Sequence, residues 1–290
     1  MAEIGSGKKT SLPPGLYVVA TPIGNLADIS ERALDVLAGV DRIACEDTRV
    51  TAKLLTAKLI KKPLLAYHEH NGAVQRPKIL DMIKSGERVA LVSDAGTPLI
   101  SDPGFKLVAE AQDEDLYVTA IPGPCAAITA LSLAGLPTDR FLFMGFPPNK
   151  SGARQSWFTA EAKTHASLVF YESTRRLPEC LADAAEVLGN RAVAVCRELT
   201  KKFEEVRRGS LPRVAAQYSQ EGAPKGECVV VIGPPERKEE TGGGSDMDTD
   251  ALLKAALNHM SVKSASAFVA EVTGEKKKAL YARALELSGK

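Results

Sequence analysis

Short apolar runs and helical stripes alternate along the first half of the chain. Leu16–Ala20, Arg42–Cys45, Pro63–Tyr67, Arg88–Val92 and Leu116–Ile121 read as buried strands. Between them, Ile29, Ala33, Leu34, Leu37 and Val40 recur at helical spacing, with Asp28 or Ser30 as the cap. Val50–Leu59, a stretch from Asn71 towards Lys84, and Phe105–Gln112 also read as helices. Strand alternating with helix predicts a parallel sheet covered by helices. After a helix at Cys125–Leu133 the rhythm changes and strands become denser. Arg140–Phe146, Ser167–Tyr171, Arg191–Cys196, Phe203–Gly209 and Glu227–Ile232 are predicted strands. Ala153–Lys163, Thr174–Leu188 and Leu211–Gln220 are predicted helices. A domain boundary is expected near Leu136, giving α/β domains over 12–135 and 136–235.

Composition shifts after Pro235. The stretch 236–249 has the Gly, Ser and acidic content of a flexible linker. Residues 250–290 then read as three short helices with tight turns, a helix-turn-helix-like unit. Asp250 is the expected cap of the first and Ser264 of the second, with the third starting at Thr273 or Gly274. Lys276, Lys277, Lys278 and Arg283 give this unit a local basic face suited to nucleic acid.

The 290 residues carry 37 basic and 36 acidic side chains, so no global field draws the chain to a polyanion. Five scattered cysteines without a CxxC pair read as thiols of a reducing compartment. The N-terminal stretch lacks the apolar core of a signal peptide, and no run is long enough to cross a membrane. A cytoplasmic location is expected. No P-loop, no glycine fingerprint after the first strand and no nucleophile elbow is present. His68 and His70 lack further ligands at metal spacing, so no metal is expected.

Chemistry gathers instead at strand ends. Three stretches, Val18–Leu26, Val92–Gly104 and Val118–Ile128, each run from an apolar strand end into a Gly/Pro turn, and together they suggest one shared cleft at the rim of a sheet. Polar groups Glu46–Arg49, His68–Asn71 and Glu172–Arg175 end three further strands.

These motifs (Thr21-Pro-Ile-Gly-Asn-Leu26, Glu46-Asp-Thr-Arg49, His68-Glu-His-Asn71, Ser93 to Gly104, Ile121-Pro-Gly-Pro124 and Phe170-Tyr-Glu-Ser173) closely resemble the ribosomal RNA small subunit methyltransferase I family of the tetrapyrrole methylase superfamily. The resemblance covers about Leu16 to Pro235, and the final helices resemble that family's helix-turn-helix appendage. Cys125 and Thr174 depart from the expected pattern.

The resemblance implies a two-domain tetrapyrrole-methylase-like fold, a homodimer, and S-adenosylmethionine as cofactor, held between the domains. It implies 2′-O-methylation of a decoding-region cytidine of 16S rRNA in the small ribosomal subunit. On this reading Pro22, Ser93, Asp94, Ala95, Gly96, Thr97, Ile100, Ser101, Cys125, Ala126, Ala127, Tyr171 and Glu227 hold the cofactor. Asp47, His68 and Glu172 are candidates for the base, and Arg49 and Arg175 for gripping phosphate. The competing readings are a methylase of corrin-type rings on the same scaffold, and a catalytically silent ribosome-assembly factor.

Overall fold

A computed structural model describes residues 12–236 and 249–288. They fall into two compact units divided at Pro235. The first holds two five-stranded sheets.

The first sheet contains β1 (Gly15–Val19), β2 (Arg42–Cys45), β3 (Leu64–Ala66), β4 (Arg88–Val92) and β5 (Val118–Ile121) in the order β3-β2-β4-β1-β5. Every pairing is parallel, as strand–helix alternation predicts. The connecting helices are α1 (Glu31–Gly39), α2 (Thr48–Ala57), α3 (Gly72–Lys84) and α4 (Phe105–Asp113). Ser30 caps α1 by accepting the Ala33 amide at 3.1 Å, so of the two expected caps the serine is used. Asp28 instead ends a separate 3-10 turn, Leu26–Asp28, capped by Asn25. Strand alternation sends Tyr17, Val19, Ile43 and Ala90 to one face and Leu16, Ala44, Val89 and Leu91 to the other. Both faces are buried, as a helix-covered parallel sheet requires.

The second sheet contains β6 (Phe141–Phe143), β7 (Ser167–Ser173), β8 (Ala192–Arg197), β9 (Glu205–Ser210) and β10 (Glu227–Ile232), in the order β6-β7-β10-β8-β9. Only β6–β7 is parallel; β7–β10, β10–β8 and β8–β9 are antiparallel. Helices α6 (Ser151–Ala160), α7 (Leu177–Leu188) and α8 (Leu211–Glu221) accompany this sheet. One face packs Phe158, Leu168, Phe170, Leu177 and Val230 into a core. The other receives α5 (Ala126–Ala134) through Ala127, Ala130 and Ala134 against Val169, Ala194 and Val231. Small side chains let this helix approach closely. Helix α5 thus leaves the first sheet and packs on the second, although it precedes the boundary expected near Leu136.

Two predicted elements shorten for visible reasons. The apolar run Arg140–Phe146 yields only three strand residues, because Gly145 takes a left-handed backbone (φ 72°) and two prolines follow. The helix expected from Thr174 starts at Leu177, because β7 runs on to Ser173 and Pro178 suits the first helical turn.

The second unit contains α9 (Thr249–Leu257), α10 (Val262–Thr273) and α11 (Lys277–Ser288) around Leu253, Ala256, Ala265, Val269, Leu280 and Ala284. Ser261, not Ser264, caps α10: its hydroxyl accepts the Ser264 amide at 3.3 Å. Gly274, in the left-handed region (φ 73°), ends that helix instead of starting the next. Arg283 pairs with Asp250, at 2.5 Å, and with Glu286, so it is not part of a free basic face; Lys276, Lys277 and Lys278 are exposed. Nearly all of the expected linker, 237–248, lies outside the described residues.

Candidate active site

A parallel sheet brings every strand's C-terminal end to one edge, and the three Gly/Pro loops are stitched together there. Thr21 and Gly96 exchange backbone hydrogen bonds at 2.8 and 3.1 Å. The Thr21 hydroxyl donates to the Ser93 carbonyl at 3.2 Å, and the Thr97 hydroxyl to the Pro124 carbonyl at 3.0 Å. Gly96 has φ 84°, a left-handed conformation that favours glycine.

These loops face the second sheet across a cleft of about 450 Å³. Among the residues expected to hold a cofactor, Ala95, Gly96, Thr97, Ile100, Ser101, Cys125, Ala126, Tyr171 and Glu227 line it. Pro22, Ser93, Asp94 and Ala127 do not. Ser93 lies buried beneath the loop, its hydroxyl 3.3 Å from the Ala95 carbonyl and beside the Asp102 carboxyl. Ala127 belongs to the α5 core, and the Asp94 carboxylate accepts the Asp47 amide at 3.0 Å. Pro22 sits next to the Thr21–Gly96 bridge. The second sheet adds Phe146, Leu199, Lys201 and Val229 to the wall. Tyr171 packs edge-on against Phe143 and Phe146, at 5.0 and 5.4 Å. Burial pushes its hydroxyl up to about 12, so it remains a donor at neutral pH. Lys201 bridges the carboxylates of Glu198 and Glu227 at 3.0 and 2.8 Å.

A second cleft, about 430 Å³, opens on the first sheet's side. Glu46, His68, Glu69, Arg76 and Lys106 line it, with Phe105 at its wall, 72% exposed. Burial raises the Glu46 carboxyl, with Asp94 adding to the effect. His68 ends β3 in a turn, where its amide donates to the Asn71 side chain at 2.9 Å. Asn71, the expected cap of α3, closes this turn instead and makes no side-chain capping bond to the helix. The buried Nδ1 of His68 has no partner within the protein. Ser101 and Asp102 line both clefts.

Two candidates for the base meet other partners. Asp47 caps α2 and binds Arg49 through its Nη2 at 2.6 Å. The Arg49 guanidinium holds the carboxyl down to about 2, so it is a poor proton acceptor. Glu172 lies on β7, where alternation turns it to the face of Phe170, opposite Tyr171. Its carboxylate is fully buried there and pinned by Arg176 at 2.7 Å and the Ser173 amide at 2.6 Å. Its second oxygen, Oε2, is buried without a partner, and Glu172 also borders the first cleft. Arg49 has a side chain 86% exposed, and Arg175 borders the first cleft. Nothing in the spacing of the sequence singles out Asp102; its place between two clefts depends on the loop's course in space.

Comparison with known proteins gives three findings. Residues 15–215 match the family model of tetrapyrrole (corrin/porphyrin) methylases, and residues 243–288 match that of the RsmI C-terminal HTH domain. The chain is 49% identical over 277 residues to a Mesorhizobium japonicum protein named ribosomal RNA small subunit methyltransferase I, covering 95% of this chain and 93% of that one. It is 51% identical to the protein of that name from Erythrobacter litoralis, covering 95% and 96%, and 46% identical to that from Escherichia coli O157:H7, covering 94% and 96%. Among solved structures, diphthine synthase superposes with a TM-score of 0.58 at 17% identity, covering 75% of this chain and 89% of that one. Uroporphyrin-III-C-methyltransferase from Thermus thermophilus gives 0.54 at 20%, covering 76% and 94%. At such identities these structures share the fold alone.

Proposed function

We infer the function from one premise: the chain belongs to the tetrapyrrole (corrin/porphyrin) methylase family and, within it, to the ribosomal RNA small subunit methyltransferase I proteins. It is a methyltransferase that uses S-adenosylmethionine to methylate the 2′-hydroxyl of a cytidine ribose in the decoding region of 16S rRNA. The observation that carries this reading is the pair of clefts meeting at one strand-end rim, in a chain that also has the C-terminal unit of that family.

S-adenosylmethionine fits the first cleft by the chemistry of its lining. Ile100, Tyr171, Leu199 and Val229 are apolar walls for an adenine. The loop Ser93–Gly104 carries no Lys or Arg, as suits a ligand without phosphate. Glu198, Lys201 and Glu227 offer both signs of charge to the zwitterionic methionine end. When bound, this cofactor supplies an electrophilic methyl group on a sulfonium. The protein's share is alignment, worth roughly 7–11 kcal/mol in a well-oriented displacement, and removal of the hydroxyl proton. Arg76, Lys106 and exposed Arg49 provide phosphate contacts around the second cleft, and Phe105 a stacking surface for a base.

The enzyme works in the cytoplasm, on the small subunit, as a homodimer. Exposed Ile128, Leu133 and Phe141, on α5 and the short edge strand β6, support self-association. Among the described residues, no helix is long and apolar enough to cross a membrane.

The test is methyl transfer from labelled S-adenosylmethionine to 30S subunits lacking the modification, followed by mass mapping. Label on one decoding-region cytidine ribose is expected. Cofactor binding in a calorimeter without any transfer to subunits would instead support a silent assembly factor.

A further inference from the structure

Two of the three base candidates read from the sequence are engaged elsewhere: Asp47 is committed to Arg49, and Glu172 is turned to the α7 face. His68 lines the second cleft but does not reach the first. Of the residues described at the rim, Ser101 and Asp102 border both clefts, and a methyl group passing from one cleft to an acceptor in the other must pass them. A serine hydroxyl is no base at neutral pH, whereas a carboxylate is.

We propose that Asp102 is the proton acceptor of the methyl transfer, a role that rests on reading the clefts as donor and acceptor sites. The ribose O–H bond breaks and its proton passes to the Asp102 carboxylate. The new O–CH3 bond forms as the S–CH3 bond breaks, and that electron pair returns to sulfur. The products are a 2′-O-methyl ribose, a neutral thioether and a protonated Asp102, which releases its proton to water through the open clefts.

The surroundings suit the task. Burial pushes the carboxyl of Asp102 up to about 6; the Ser93 hydroxyl bond pulls it down, and the charges of Glu46 and Asp94 raise it. It is therefore ionised at neutral pH yet more basic than an ordinary aspartate. Tyr171 faces it from the second sheet. Arg76 and Lys106 stand on the second cleft, and Arg175 and Lys201 on the first; Arg76 is paired with Glu110 and Lys201 with Glu198 and Glu227. Two non-glycine residues beside it, Leu99 (φ 74°) and Ser101 (φ 64°), hold left-handed backbone, so the loop is bent to present this position.

The test uses the full chain and Asp102→Asn, which keeps shape and a hydrogen bond to Ser93. The wild type must first label a cytidine ribose in deficient subunits; if it does not, the functional reading fails and the role of Asp102 falls with it. With the wild type active, Asp102→Asn is expected to lose about 10²–10⁴ in single-turnover rate at saturating S-adenosylmethionine, while its cofactor Kd rises by about tenfold. A rate within about tenfold of wild type overturns the proposal.

A second readout needs no turnover. At pH 6, S-adenosylmethionine places a sulfonium beside a half-protonated carboxyl and expels up to about half a proton, which calorimetry in buffers of different ionisation heat measures. S-adenosylhomocysteine, which lacks the charge, expels less from the wild type, and Asp102→Asn expels none with either. Equal release by the two ligands, or undiminished release from Asp102→Asn, overturns the assignment.

Discussion

The first sheet is parallel throughout, and its strands end in polar or Gly/Pro-rich turns; the second is mixed and built around aromatic packing. In the second, Trp157, Phe158 and Phe170 meet edge-to-face with centroids 5.1–5.7 Å apart. Two of its buried charges are paired, Arg154 with Asp183 and Glu172 with Arg176, while buried Arg191 donates to the Ala162 carbonyl. In the first, carboxylates at the rim, Glu46 and Asp102, are raised by burial, with the charge of Asp94 adding to both. Strand direction explains the difference. A parallel sheet collects all its strand ends on one edge, so polar residues placed there converge. An antiparallel sheet splits its ends, and only β7, β8 and the start of β10 reach the cleft. The second sheet is a wall, and the first carries the groups that act.

If that division holds, damage to the wall costs stability and damage to the rim costs function. The largest effect is expected from Arg154→Ala. The side chain is 2% exposed and its loss leaves Asp183 buried without its cation, a cost of roughly 3–5 kcal/mol. Urea unfolding measures it, while the folded fraction at low temperature keeps its methyl-transfer rate. A near-normal urea midpoint would break the comparison from the wall's side.

Phe105→Ala tests the rim. This side chain lies open at the second cleft, so stability should hardly change. Loss of a stacked base costs about 1–3 kcal/mol in affinity for 30S subunits, read by filter binding. Next, a chain ending at Pro235 keeps the whole first unit, with both sheets and both clefts. It should bind S-adenosylmethionine normally and bind subunits about tenfold more weakly, about 1.4 kcal/mol, because Lys276, Lys277 and Lys278 are removed. Unchanged subunit affinity would restrict RNA recognition to the first unit.

Much of this organisation was legible beforehand. The strands β2, β4 and β10 fall where apolar runs of β-branched residues place them. The loops Thr21–Leu26, Ser93–Gly104 and Pro122–Ala127 share a cleft because Gly and Pro mark strand ends and strand–helix alternation fixes which edge they reach. What stayed hidden is what depends on side-chain direction and on partners distant in sequence. The sequence cannot show that the pleat of β7 separates Glu172 from Tyr171, or that Arg49 occupies Asp47. Nor can spacing distinguish Asp102 from Asp94 in one loop; only burial and a second cleft do so. The α5 boundary was hidden for the same reason, since three alanines fit either sheet until a close approach is required.

Asp102 sharpens the comparison again, now through stability. A carboxyl raised from its ordinary value to about 6 binds a proton in the folded state that the unfolded chain releases near pH 4. Folding stability therefore falls as pH rises from about 4 to 6, and the cost persists at pH 7. Asp102→Asn removes this cost and should be more stable than wild type at pH 7 by about 1 kcal/mol, less than two pH units imply because solvent reaches the carboxylate. At pH 4 the two should unfold alike. A gain in stability with a loss in rate is the signature of a strained functional group; equal stability at both pH values would argue that the rim carboxylate is well solvated.

The smallest effect is expected where the rim is most exposed. Arg49→Ala frees the Asp47 carboxyl, whose value should return from about 2 towards the ordinary aspartate range in an NMR titration. The folded value lies below the unfolded one, so the pair's contribution is present above about pH 4 and disappears as pH falls through about 2. Thermal unfolding at pH 7 should scarcely move, because an ion pair this open to water is screened. Affinity for 30S subunits should fall, and the salt dependence of binding should flatten by about one counterion, as loss of one phosphate contact predicts. An unchanged salt slope would make the Asp47–Arg49 pair a helix cap alone and leave the phosphate contacts to Arg76 and Lys106.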